Sequence, residues 1–179
     1  MLAGIVVFKY ADTDNLLRIV IGLIVILAGA IIVVQLVKPI MDRPRFRFLM
    51  SSEGSLDLFC PWWKSGSEIK DLFPLVDKDE FKSFPSGHTN VAALTMPVLA
   101  FLPAISSKIK VNGRVLFYAG FAYTLIVAIS RITVAAHFLS DVSFALLISI
   151  LVYLVIDLLW FRSDKIYNLI FNHKKTNNA

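Results

Sequence analysis

Long apolar runs separated by short polar blocks set the character of this chain. Residues 16–37, 89–105, 113–130 and 138–161 are predominantly apolar. A helix needs about 20 apolar residues to cross a bilayer, so these runs predict four transmembrane spans. Residues 1–8 are apolar but too short to cross, and are expected to pack as an N-terminal segment or lie in the interface. The pattern predicts an all-α, polytopic helix bundle, with residues 1–179 forming one membrane domain.

Two stretches need more than a hydropathy reading. As a single helix, residues 113–161 would run about 73 Å against about 30 Å of hydrocarbon. The run must therefore break, and its only polar cluster lies between Ser130 and Asp141. A hairpin is expected there, although no Gly or Pro marks the bend. The other stretch is the polar insertion 43–83, which carries Trp62-Trp63. Paired tryptophans suit the headgroup layer, and residues 55–59 and 68–76 mix apolar and charged positions as short interfacial helices do. Ala28-Gly29-Ala30 resembles a small-residue cleavage site. Because the apolar run continues to Val37, that segment is expected to be an uncleaved anchor.

Composition agrees with the membrane reading: 57% of residues are hydrophobic and the mean hydropathy is +0.71. The formal charge of +5 is spread along the chain, which argues for loop bias and against a nucleic-acid partner. Cys60 is the single cysteine, so no intrachain disulfide forms. Counting crossings puts the polar blocks on one side. The loop 106–112 on the other side carries Lys108 and Lys110, with Arg114 just beyond and no acidic residue. Short basic loops stay cytoplasmic. The expected location is a bacterial inner membrane, multi-pass, with the polar blocks facing the periplasm.

Three polar blocks carry candidate chemistry. The first, Lys38 to Arg45, gathers Lys38, Arg43 and Arg45 at the exit of a span. Basic side chains often snorkel at such places, so on its own it says little. The second, Pro85-Ser86-Gly87-His88, opens an apolar run. Serine caps helices, glycine admits a ligand close to the backbone, and free N–H groups at a helix start bind anions. His88 beside them has the chemistry to protonate a departing oxygen, though an ordinary capped helix start explains the rest. In the third, Arg131 precedes His137 and Asp141, which are spaced to share one face of a helix. Asp141 would then hold one imidazole nitrogen and leave the other as a nucleophile. A polar network between helices is the alternative for that pair. Cations, imidazoles and a carboxylate at the membrane edge together fit phosphate chemistry.

Lys38-x6-Arg45, Pro85-Ser86-Gly87-His88 and Ser130-Arg131-x5-His137-x3-Asp141 resemble the three signatures of the type 2 phosphatidic acid phosphatase superfamily, in the family's order. The resemblance implies a membrane lipid phosphatase. In it His137 attacks phosphorus, Asp141 orients it, and His88 is the general acid. Lys38, Arg45, Ser86, Gly87 and Arg131 hold the phosphoryl oxygens, with Arg43 an auxiliary contact. It implies no cofactor and no metal, with a lipid phosphate as substrate and membrane lipids as surroundings. One departure is that the first signature usually continues Arg-Pro, whereas Arg45 precedes Phe46 and the Arg-Pro pair is Arg43-Pro44. Within the family the small size and many cations resemble bacterial lipid A 1-phosphatases. Phosphatidylglycerophosphate phosphatase comes next, then undecaprenyl pyrophosphate phosphatase. A non-catalytic membrane bundle is the alternative from another class.

Overall fold

Apolar length decides where this chain runs straight, and polar residues decide where it turns. The computed structural model describes residues 13–106 and 108–163. The N-terminal segment 1–8 and the tail lysines Lys165, Lys174 and Lys175 lie outside the described residues. The described residues are helical with no strand: α1 Thr13–Met41, α2 Phe46–Leu49, α3 Ser67–Leu72, α4 Gly87–Ala93, α5 Thr95–Ile105, α6 Gly113–Thr133 and α7 Leu139–Ile156. A π turn, Asp157–Phe161, continues α7. Four stretches are long and apolar enough to cross a membrane, as the sequence predicts.

The spans differ from expectation in detail. α1 continues to Met41 instead of stopping at residue 37, which sets Lys38 in its last turn. The second span reads as α4 and α5, divided at Leu94. Pro97 explains the division, because it has no N–H to donate to the carbonyl four residues back. At the same break the Thr95 hydroxyl donates to the Ala92 carbonyl at 2.7 Å. The hairpin between α6 and α7 turns at Ala135, which adopts a left-handed conformation with φ 54°. The amides of Ala136 and His137 both return to the Arg131 carbonyl at 3.2 Å. The bend is thus made by backbone hydrogen bonds closing the end of α6, without a glycine.

Inside the bundle, small residues let the helices approach. A Cβ on Gly120 would come 2.8 Å from the Met96 backbone, so α5 and α6 touch where only glycine fits. Polar side chains link helices there too: Asn90 donates to Ser149 Oγ at 2.8 Å and Thr124 to the Ala92 carbonyl at 3.1 Å. Ile19, Ile26 and Ala30 of α1 form the buried core with Leu94, Phe101, Tyr153, Trp160 and Phe161. The outer faces keep residues such as Ile24, Leu36, Ile126 and Leu151 exposed, as a lipid-facing belt requires.

The insertion is folded. Phe48, Leu49 and Phe81 are buried together, with Ile69, Phe73, Val76 and Phe138 packed on them. Its expected helices are shorter than the sequence suggests, a 3-10 turn at Leu56–Leu58 and α3 at Ser67–Leu72. Trp62 packs on Phe144 of α7, ring centroids 4.3 Å apart. After α1 the chain reverses at Asp42, whose φ is 39° and whose carboxylate accepts from Lys70 at 2.8 and 2.9 Å. Gly66 packs against that reversal so closely that a Cβ would lie 2.4 Å from the Asp42 carbonyl.

Candidate active site

The polar blocks meet because each lies at a helix terminus on the same side of the bundle. Lys38 is in the last turn of α1, Ser86 caps the start of α4, and Arg131 is in the last turn of α6. His137 sits in the turn just before α7, and Asp141 in the first turn of α7. Ser86, 0% exposed, accepts from the Thr89 amide and hydroxyl. A Cβ on Gly87 would lie 3.4 Å from Lys38 Nζ, so the ammonium rests against the start of α4. Lys38, Arg45, Arg131 and His137 are the charged and titratable groups acting on His88. The chain therefore gathers residues from all three blocks into one cationic cup.

Asp141 ties the blocks to one another. Its Oδ1 accepts from Arg43, and its Oδ2 accepts from the Ser83 hydroxyl and, at 2.9 Å, from the Phe138 amide. Its backbone carbonyl accepts from the Ser86 amide at 3.0 Å. The carboxylate thus caps α7 and pins the two neighbouring blocks. It is 0% exposed, and a charge so buried is stable only when paired and hydrogen-bonded.

The contact made by His137 differs from the one its spacing predicts. Four-residue spacing presumes a continuous helix, but α7 begins at Leu139, so His137 lies before it. Nδ1 lies 2.7 Å from the Ser83 carbonyl and 3.6 Å from Asp141 Oδ2. A carbonyl only accepts, so Nδ1 is the donor in this contact, and in the neutral ring Nε2 then keeps the lone pair. Ser83, 0% exposed, is the site residue that sequence reasoning misses. Its only signal is its place two residues before the second block, and serine is too common in loops for that to count.

The two arginines of the first block part company. Arg43 is 2% exposed and points into the protein: Nε donates to the Cys60 carbonyl at 2.8 Å, and Nη1 to Ser140 Oγ at 2.7 Å as well as to Asp141. Arg45 is half-buried at the cup. Its amide donates to the Glu80 carbonyl at 2.7 Å and its Nε to the Asp79 carbonyl at 2.8 Å. On the rim, Lys82 donates to Asp79 at 2.7 Å and holds that exposed carboxyl below the usual carboxylate range. Cys60 is buried, and burial pushes its thiol up.

A groove of about 550 Å³ opens beside the cup. Lys38, Gly87 and His88 line its polar end, and Val91, Ala92, Tyr123 and Val127 its apolar length, with Gln35 and Thr95 between α1, α5 and α6. His88 is exposed and lines this space, whereas His137 does not line it and is buried, 3% exposed. Among the described residues no group of three His, Cys, Asp or Glu side chains converges as a metal site.

Comparison with known proteins identifies the family of the chain. A family model described as the PAP2 superfamily matches residues 19–165. Phosphatidylglycerophosphatase B of Bacillus subtilis (strain 168) is 40% identical over 77 residues, which are 40% of this chain and 36% of that protein. The match thus spans about a third of that relative's length. No solved structure matches the chain.

Proposed function

The chain belongs to the PAP2 superfamily, and from that premise we propose that it is a membrane phosphatase hydrolysing a lipid phosphate monoester through a phosphohistidine. The observation that carries the reading is the orientation of the His137 ring. With its Nδ1–H given to the Ser83 carbonyl, Nε2 is a lone-pair donor in a cup of cations.

In the proposed first step, Nε2 of His137 attacks phosphorus as the bond from phosphorus to the lipid oxygen breaks, and His88 gives its proton to that oxygen. In the second, His88 takes a proton from water. The water oxygen bonds to phosphorus, the P–N bond breaks, and inorganic phosphate leaves. Lys38, Arg45, Arg131, the Ser86 hydroxyl and the Gly87 N–H spread the transition-state charge, the main demand of phosphoryl transfer. Charge handled by cations and amides, together with the lack of converging carboxylates among the described residues, supports a metal-free reaction.

The groove supports a lipid substrate. Its polar end takes the phosphate while Val91, Val127 and their neighbours face the acyl chains. The similarity to a phosphatidylglycerophosphatase B over 77 residues favours phosphatidylglycerophosphate over lipid A, which sequence analysis puts first. The proposed setting is a bacterial inner membrane with the cup toward the periplasm. The test compares turnover of phosphatidylglycerophosphate, lipid A and undecaprenyl pyrophosphate by the purified protein in excess chelator. The reading expects phosphatidylglycerophosphate to be cleaved fastest without added metal. Faster cleavage of lipid A would restore the sequence-based ordering. Activity lost to chelator and restored by Mg²⁺ would overturn the metal-free step.

A further inference from the structure

Arg43 sits in the first signature yet turns its back on the cup, and its guanidinium contacts lead to Asp141 and the residues around it. We propose that Arg43 is a positioning residue for His137, acting through Asp141 and Ser83, and is no ligand of the phosphoryl group. The inference rests on the phosphatase reading above.

Arg43 grips Ser83 from two sides. Its backbone carbonyl accepts from the Ser83 amide at 3.0 Å. Its guanidinium holds Asp141, whose other oxygen accepts the Ser83 hydroxyl. The Ser83 carbonyl then receives His137 Nδ1–H. The direction of the imidazole thus depends on a residue that Arg43 fixes at both its backbone and its side chain. The guanidinium is itself immobilised: its carbon lies 4.2 Å from the Phe138 ring centre and 5.5 Å from that of Phe59, with Cys60 and Ser140 taking further N–H groups. Its bonded N–H groups are directed at Cys60, Ser140 and Asp141, none of which lines the groove.

Removing the guanidinium leaves a buried carboxylate without its counter-ion. The titratable group left beside that carboxylate is His137, whose Nδ1 lies 3.6 Å from Oδ2. Asp141 would draw the ring away from the Ser83 carbonyl and swing Nε2 off line. Misplacing a reacting atom by about 1 Å costs about 100-fold in rate, whereas the cations that bind phosphate are untouched. A phosphate ligand would behave otherwise, because its loss weakens the binding of any phosphate.

The experiment measures kcat, KM and inhibition by inorganic phosphate for the full chain and for Arg43→Gln, Arg43→Lys, Arg45→Gln and His137→Ala. Arg43→Gln is expected to lower kcat about 100-fold with KM and the phosphate inhibition constant within about threefold of wild type. Arg43→Lys, which restores the counter-charge without the fork, is expected to recover about tenfold of that loss. Arg45→Gln is expected to weaken phosphate inhibition by about tenfold or more. In the Arg43→Gln background, Asp141→Asn should cost far less than it does alone, because the two act as a unit.

Phosphate inhibition weakened as much by Arg43→Gln as by Arg45→Gln, or an unchanged kcat, overturns the inference. Should Arg43→Gln not fold, Arg43→Lys decides by the same split: a lowered kcat with unchanged phosphate inhibition supports positioning, and wild-type kcat contradicts it. Turnover surviving in His137→Ala overturns the phosphatase mechanism itself. An inactive His137→Ala beside a fully active Arg43→Gln overturns only the role of Arg43.

Discussion

A buried carboxylate that accepts from an arginine, a serine and a backbone amide at once cannot turn freely, and Asp141 is such a group. Its neighbour His137 gains a fixed tautomer from a carbonyl that belongs to neither residue of the expected pair. The residue types of the third block are readable in the sequence because Arg, His and Asp are costly at a membrane edge. Ser83 is not, since its contribution is a backbone carbonyl, which any residue supplies. Nor does the sequence separate Arg43 from Arg45. They lie two positions apart after a helix end, and only the reversal at Asp42 decides which turns inward. Ala135 shows the same limit, because a left-handed residue is usually betrayed by Gly or Asn. Ala135→Gly, which relieves the Cβ there, should raise thermal stability in detergent by about 1 kcal/mol. A lower melting temperature would mean that the turn at Ala135 is unstrained.

At the scale of elements, the spans were legible because hydrocarbon thickness imposes a length that few soluble segments match. α1, α6 and α7 start or end within a few residues of the apolar runs that predict them. The division of α4 from α5 escaped because Pro97 lies within an otherwise uniform apolar stretch. The insertion resisted for a different reason. Phe48, Phe73 and Phe81 pack on one another across distant positions, and no local period announces such a core. Alternation of the spans sets opposite ends apart, with Lys108 and Lys110 away from the cup. A reporter active only in the periplasm is expected to be active when inserted at Lys64 and silent when fused after Lys110. The reverse pattern would contradict the proposed orientation.

Across the whole molecule, helix ends from α1, α4, α6 and α7 converge so that polar groups distant in sequence share one site, while α1, α4 and α6, with Thr95 of α5, line a groove beside it. The insertion is bound into the same assembly: the Arg47 amide donates to the Ala135 carbonyl at 2.8 Å, and Trp62 leans on α7. That joint design sets a largely apolar groove beside a cationic cup and gives the proposed reaction its setting. Its central claim is a covalent bond between phosphorus and His137 Nε2. The direct measurement mixes the protein with lipid labelled in its phosphate, quenches in alkali during turnover and locates the label by mass spectrometry. The account predicts phosphate on His137, stable to alkali and labile to acid, and no label in His137→Ala. Unlabelled wild-type protein caught in mid-turnover, together with full activity in His137→Ala, would contradict it.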